Sequence, residues 1–526
     1  MDFHDTMELV STTWQDVSVH FRKLPGSAIL VRYIQNSYQN DPVRSIVELL
    51  LFLFAVRYLL APRYSTKHKA TELTESVRSP SPPPPHSPTQ LNLTDPPSQE
   101  IDELVDDWTP EPLVAPPTAV ETFEEEHRPI IAGPTGPKVK LINSSRTLTN
   151  LASYNYFNLV SSELIKERAI TILRSYGVGA CGPPNFYGTQ DVHIATELEI
   201  ARFLGLPACI VYAQSFSTIS SVIPAFAKRG DIIVADRACN FAIQKGLQIS
   251  RSTIKWYAHN DMADLERVLK EVAKDQARKP LTRRFIVTEG LFEATGDMPD
   301  LPTIIELKNK HKFRLILDET HSFGLLGRTG RGLSEHQNVD PSNIEMLIGS
   351  LAHSLTAGGG FCCGTLEVVE HQRISSSSYV FSAALPAMLS VTAAEAIKII
   401  EGNPDMLVFL RELTKIARAQ LERSEYIHIT SAPENPRILW GIKEEVLEEK
   451  GIEDVERLLA DVVEECVQGG VLISRCKRVK DGSEGWQYGD GLCMMCVSVG
   501  HTKKDVEAAA GVVRKAVGKV LSRVKK

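Results

Sequence analysis

From about Lys138 onward the chain alternates short, β-branched apolar runs with helical stretches, and this alternation narrows the possible folds more than any other feature. The runs are Ala208-Cys209-Ile210-Val211-Tyr212, Asp231-Ile232-Ile233-Val234-Ala235, Arg284-Phe285-Ile286-Val287-Thr288 and Arg314-Leu315-Ile316-Leu317. Segments with helical spacing, such as Asp264 to Ala273, lie between them. Runs of this length and residue type suit strands buried on both faces, and the intervening helices supply the cover, so the pattern predicts an α/β domain on a mostly parallel sheet. Such sheets hold ligands beyond the carboxyl ends of their strands. The residues expected there are Asp236, Glu289 and Asp318, three acids facing one crevice.

The first 137 residues differ in kind. After an N-terminal segment, 1–44, comes the most apolar stretch of the chain, 45–62, with one acid near its start and Arg57 and Tyr58 near its end. It is a little short of the roughly 20 residues of a spanning helix, but Arg57 can snorkel and Tyr58 suits an interface. A spanning helix, an in-plane amphipathic helix and a soluble helix all fit. Ser79-Pro80-Ser81-Pro82-Pro83-Pro84-Pro85 then opens a Pro-rich and acidic stretch, and we expect 63–137 to be a disordered tether. Its charge is one-sided: eleven acidic residues and no Lys or Arg between Asp95 and Glu126. No basic stripe interleaved with aromatics occurs, which argues against nucleic acid as a partner. Nine cysteines, an odd number spread along a long chain, argue for a reducing compartment over a disulfide framework. The single CxxC, Cys493 to Cys496, has no second pair to complete a zinc site, so strand packing is its expected use and no metal is expected.

Two loops carry chemistry. In Asp318-Glu319-Thr320-His321 an acid at a strand end precedes a histidine by three residues. That arrangement can hold a heteroaromatic cofactor, the carboxylate pairing a ring N–H and the imidazole touching a ring oxygen; an ordinary solvated strand-end carboxylate has the same spacing. The following Gly324 to Gly330 reads GxxGxxG, which is not the dinucleotide fingerprint. The second loop is GSLAHSLTAGGGFCCG, residues 349–364, with His353 among glycines that permit close backbone approach.

Taken together, Tyr176-Gly177-Val178-Gly179, Val287-Thr288-Glu289-Gly290, Leu317-Asp318-Glu319-Thr320-His321-Ser322-Phe323-Gly324 and Gly330-Arg331-Gly332 resemble the α-oxoamine synthase family of fold type I pyridoxal-phosphate enzymes, over about residues 138–520. The resemblance implies a large PLP-transferase-like domain, 138–400, and a small C-terminal α+β domain, 401–526, here preceded by an N-terminal membrane helix. In that family a lysine in the loop after the next strand bonds the cofactor covalently; the matching position here is His353. An imidazole is no primary amine and cannot take that role. The ring-stacking histidine of the family aligns with Asn240, and its Ser-Gly-Phe phosphate turn with Gln214-Ser215-Phe216. Asp318 and His321 are kept. The remnant pocket is thus expected to comprise Asn240, Glu289, Asp318, His321 and His353, with no catalytic residue of its own.

One branch of the family is built this way. The segments Gly179 to Thr189, Lys228 to Asp231, Phe241 to Gln248, His259 to Glu266 and Gly359 to Gly364 are similar to the lysine-lacking long-chain-base subunits of eukaryotic serine palmitoyltransferase. The resemblance implies an obligate heterodimer whose second, lysine-bearing subunit binds pyridoxal phosphate covalently. That complex condenses L-serine with palmitoyl-CoA to 3-oxosphinganine, CoA and CO2, at the start of sphingolipid synthesis. It also implies an endoplasmic reticulum membrane location with the large domain cytosolic, and leaves room for small regulatory membrane subunits. Fold type I sites form at a dimer interface, so Cys181, Tyr187 and Ser382 are the expected contributions to the partner's site. The alternative is a membrane scaffold or regulatory subunit with no residue in the active site.

Overall fold

The computed structural model describes residues 116–526 except 143, 145, 448–450, 478–490 and the last two, together with scattered positions between 50 and 114. The chain divides into two units between residues 111 and 112. In the first, Leu50, Leu51, Phe54 and Arg57 are helical, and Leu50, Leu51 and Phe54 are exposed. The rest of the expected membrane helix 45–62 lies outside the described residues, as do 63–101. Among the described residues no helix is long and apolar enough to cross a membrane.

The second unit contains strands β1 (Ile131–Ala132), β2 (Lys138–Leu141) and β3 (Thr147–Asn150), followed by β4 (Ala208–Tyr212), β5 (Ile232–Asp236), β6 (Thr253–Tyr257), β7 (Arg284–Glu289), β8 (Arg314–Asp318), β9 (Met346–Ser350) and β10 (Gly360–Gly364). Strands β11 (Ile427–Ile429), β12 (Arg437–Ile442), β13 (Val471–Leu472), β14 (Ser474–Arg475) and β15 (Leu492–Cys496) complete it. A seven-stranded sheet runs in the order β4-β10-β9-β8-β7-β5-β6. The pairs among β9, β8, β7, β5 and β6 are parallel; β10 runs antiparallel to both its neighbours. The expected α/β sheet is therefore present, with one reversed strand made by the hairpin from β9 to β10.

The β-branched runs explain why this sheet is central. Successive residues of a strand point to opposite faces, and here both faces meet a core. Ile232 and Val234 pack in one cluster while Ile233 and Ala235 pack in a second. Burying each such side chain fully contributes about 1.5–3 kcal/mol. The covering helices follow their own periodicity. Met262–Asp275 starts where the Asp261 carboxylate accepts the backbone N–H groups of Ala263 and Asp264, and it buries Leu265, Val268, Leu269 and Val272, one stripe of its surface.

The chain ahead of the large sheet pairs with the C-terminal part: β1, β2 and β3 form a sheet with β13, in which Val471 pairs with Thr149. The Leu472 carbonyl accepts the Leu151 N–H (2.8 Å), and the Cys496 N–H donates to Leu151 (2.7 Å). A separate antiparallel sheet, β11-β12-β15-β14, holds the CxxC on β15 with both cysteines buried. The tether ends sooner than 137. Ala119–Glu126 is a helix whose N-terminus closes in a capping box, Thr118 Oγ1 accepting from the Glu121 N–H and Glu121 Oε2 from the Thr118 N–H. Arg475 and Lys477 pair with Glu124, at 2.6 and 2.8 Å, and the Arg457 guanidinium lies 3.7 Å from the Phe123 ring centroid. Acidic composition suggested disorder because those cations are more than 300 residues away in the chain.

Candidate functional site

Strands β7 and β8 run in parallel register with Glu289 opposite Asp318, so two of the three expected acids end side by side. Between them sits Asn240, the N-cap of helix Phe241–Ser250. Its Oδ1 accepts the Ile243 N–H (2.9 Å), its side-chain amide donates to Asp318 Oδ2 (2.9 Å), and its backbone N–H donates to Glu289 Oε1 (2.6 Å). The other oxygens are also engaged: Asp318 Oδ1 accepts from the Thr320 N–H (2.9 Å) and Glu289 Oε2 from the Glu293 N–H (3.0 Å). Burial, then the neighbouring Asp318 and Glu293, pushes Glu289 well above the carboxylate range. Burial raises Asp318 as well, against the hydrogen bonds from Thr320 and Asn240. Asn240 thus ties the two carboxyls into a closed polar unit.

Asp236 does not join them, contrary to the expectation of one shared crevice. Its oxygens accept from the Ala238 and Asn260 N–H groups, and Oδ1 lies 2.9 Å from His259 Nδ1. The other ring nitrogen of His259 meets Asp297 at 3.1 Å. Burial disfavours the imidazolium there, but hydrogen bonds to Asp236 and Asp297 outweigh it and raise His259 to about 10. Asp236 therefore serves a charged clamp between the loops after β6 and β7, which strand-end position alone does not distinguish from a ligand site.

His353 leaves β9 in the loop before β10 and meets a second ring. The His321 and His353 centroids are 4.7 Å apart, and Tyr154 packs edge-on to both, at 5.8 and 4.8 Å. Burial, then the neighbouring His321, pushes His353 down to about 3; burial and Arg437 lower His321. Burial thus favours the neutral ring at both positions, and Nδ1 of each is buried without a hydrogen-bond partner. The buried Arg437 stays near through hydrogen bonds to the Phe292 and Glu293 carbonyls. Tyr154, Glu293 and Arg437 escaped the sequence reading. Only Arg437 left a trace, as a charge heading the apolar run Ile438 to Ile442.

These residues do not fit a covalently held pyridoxal phosphate. Position 353 offers no amine, and the family's stacking position is an amide, Asn240, committed to capping a helix and to Asp318. The glycines beside His353 have another use. Gly360 pairs with both Ser350 and Tyr212, and Gly359, at φ +96°, brings its backbone so close that a Cβ would lie 2.5 Å from the Tyr212 carbonyl oxygen. They admit a neighbouring strand.

The chain matches the model of the aminotransferase class I and II family over residues 146–467. It is 39% identical over 438 residues to "Serine palmitoyltransferase 1" of Saccharomyces cerevisiae, covering 80% of this chain and 75% of that one. The chain belongs to the aminotransferase class I and II family, in its serine palmitoyltransferase 1 group. A further relative in this group, "Long chain base biosynthesis protein 1" of Arabidopsis thaliana, is 43% identical over 351 residues, 67% of this chain and 71% of its own length. Solved structures share the fold. A serine palmitoyltransferase of Sphingomonas wittichii superimposes with a TM-score of 0.66 at 21% identity, over 82% of this chain and 99% of that one. 8-Amino-7-oxononanoate synthase of Francisella tularensis gives 0.57 at 20% identity, over 71% of this chain and 98% of that one.

Against this serine palmitoyltransferase 1 background, the three remaining site residues lie together on the surface. Cys181 and Tyr187 both have left-handed backbone, φ 58° and 68°, and both side chains are exposed. The Ala384 N–H donates to the Gly182 carbonyl (2.9 Å), which holds the segment bearing Ser382 beside them. The Cys181 side chain is exposed, while the backbone of its turn is tight: a Cβ at Gly188 would lie 2.1 Å from the Gly182 carbonyl oxygen.

Proposed function

We propose that this chain is the lysine-free subunit of a serine palmitoyltransferase. It assembles with a second, lysine-bearing subunit that binds pyridoxal phosphate, and the pair condenses L-serine with palmitoyl-CoA to 3-oxosphinganine, CoA and CO2. The observation that carries this reading is the pairing of a family pocket closed by Asn240 and His353 with an exposed face built around Cys181, Tyr187 and Ser382. On that face Val178 (82% exposed), Phe186 (62%) and Phe381 (79%) present apolar surface to solvent. Exposed apolar side chains of this kind favour a protein partner, and the group's serine palmitoyltransferase names indicate its chemistry. The role of this chain is then to complete the partner's site and exclude water from it, with small regulatory membrane subunits as further neighbours.

The test is copurification with the lysine-bearing subunit and assay of condensation with serine and with alanine. The pair is active and this chain alone is not. Cys181→Trp assembles normally, since nothing in this chain opposes the indole, yet lowers turnover by up to about a hundredfold because a displacement of about 1 Å near reacting atoms suffices for that. Cys181→Ser stays near wild type. Unchanged rates for Cys181→Trp in an assembled pair would favour the scaffold alternative.

We further propose that 45–62 anchors the chain in the endoplasmic reticulum membrane with the large domain in the cytosol, where acyl-CoA is available. Apolar content and the interfacial Arg57 and Tyr58 support this. The sequons at Asn92 and Asn143 then remain unmodified. An endoglycosidase-sensitive mass shift at either would reverse the topology.

A further inference from the structure

The surface segments 181–188 and 376–385 carry Cys181, Tyr187 and Ser382, yet apart from two short helical turns neither has regular structure to hold it. Among their supports, one residue touches both segments. Arg373, on helix Leu366–Ser375, directs Nη2 to Glu197 Oε2 (2.8 Å) and Nη1 to the Tyr379 hydroxyl (2.6 Å). Its own carbonyl accepts from the Asn185 side-chain amide. Glu197 is buried and its Oε1 also accepts the Val211 N–H of β4 (3.0 Å). A side-chain path therefore runs from the edge of the central sheet through Glu197 and the Arg373 guanidinium to Tyr379, three residues before Ser382, while the Arg373 backbone carbonyl holds Asn185, two residues before Tyr187. Around it, Pro184, Thr189, His193, Tyr379 and Ala384 leave a cavity of about 20 Å³, room for about one water, so a shift of the strut has little slack to absorb it.

We infer that Arg373 is a positioning residue that, through Tyr379, sets where Ser382 stands at the shared site and, through the Ala384–Gly182 hydrogen bond, steadies the segment of Cys181 and Tyr187. The planar guanidinium fork matters: it serves a carboxylate and a hydroxyl at once, whereas a lysine ammonium on the same helix is a single point charge. Glu197 keeps a cation in Arg373→Lys, but Tyr379 loses its donor. This inference rests on the heterodimeric reading above.

The experiment compares Arg373→Lys, Tyr379→Phe and Glu370→Gln in the copurified pair with the lysine-bearing subunit. Glu370 meets Arg373 Nε at 3.1 Å from an exposed position and serves as the control. Active-site titration corrects kcat for the fraction assembled, and kcat/KM is measured with serine and with alanine. Arg373→Lys is expected to lower kcat by about ten- to a hundredfold, the range for a displacement near reacting atoms, and to shift the serine-to-alanine ratio. Tyr379→Phe moves both quantities in the same direction by less, and Glu370→Gln leaves both unchanged. A purely structural role would reduce the amount of assembled pair without changing the ratio. If Tyr379→Phe and any assembled Arg373→Lys show wild-type kcat and ratio, the inference is wrong. If the wild-type pair itself fails to condense serine with palmitoyl-CoA, the functional reading falls and this inference falls with it.

Discussion

His353→Lys is expected to leave this chain without covalently bound cofactor, although the substitution restores the amine that the family uses. The amine is only one of several missing parts. A pyridine ring N–H in this pocket would have to share an oxygen of Asp318 with the Asn240 amide or the Thr320 N–H, each at 2.9 Å. Displacing Asn240 would also uncap helix Phe241–Ser250, which costs about 1 kcal/mol. The rings of Tyr154 and His321 already pack on position 353, at 4.8 and 4.7 Å between centroids. Purified chain incubated with pyridoxal phosphate and reduced with borohydride should show no stoichiometric adduct at residue 353 by peptide mapping, for wild type or variant. A stoichiometric adduct in the variant would show that the pocket opens more easily than its hydrogen bonds indicate.

Gly359→Val should destabilise the chain by about 3 kcal/mol or more, enough to lower the yield of soluble protein severely. Two effects add. At φ +96° a β-branched residue is strained whatever its surroundings, and here its Cβ would fall 2.5 Å from a backbone oxygen of β4, which cannot retreat without breaking the β4–β10 pairing. Gly358→Ala is the contrast. Its Cβ would meet only the far end of Leu389, at 2.9 Å, a side chain free to change rotamer, so a loss of roughly 1 kcal/mol or less is expected. Denaturant midpoints of the two variants against wild type decide the matter; equal midpoints would mean that this loop can relax and that its glycines serve something other than the hairpin.

The interpretation of this loop changed between sequence and structure for a physical reason. Glycine marks close backbone approach, but not what approaches. In GSLAHSLTAGGGFCCG the sequence showed only that some group comes close, and that group is the neighbouring strand. Asp236 is a similar case: a strand-end acid with the right position, taken up by His259, Asn260 and Asp297 from loops the sequence could not place beside it.

What the sequence determined by itself is whatever depends on local order or on covalent chemistry. The β-branched runs of the central sheet, the Asp261 cap and the buried stripe from Leu265 to Val272 follow from residue type and spacing within a few turns or strands. The absence of an amine at position 353 is equally secure, because no fold can add a functional group to histidine. The tertiary structure decided everything that joins distant residues. Asn240 closes on Asp318 across 78 positions, and Arg475 reaches Glu124 across 351. Strand β3 pairs with β13 to build the small domain from both sides of the large one. The exposure of Cys181 and Tyr187 belongs here too, since a residue is exposed only by what fails to pack against it. Such pairings are chosen by the burial of the whole core, to which each local segment contributes one face and carries no record of the other.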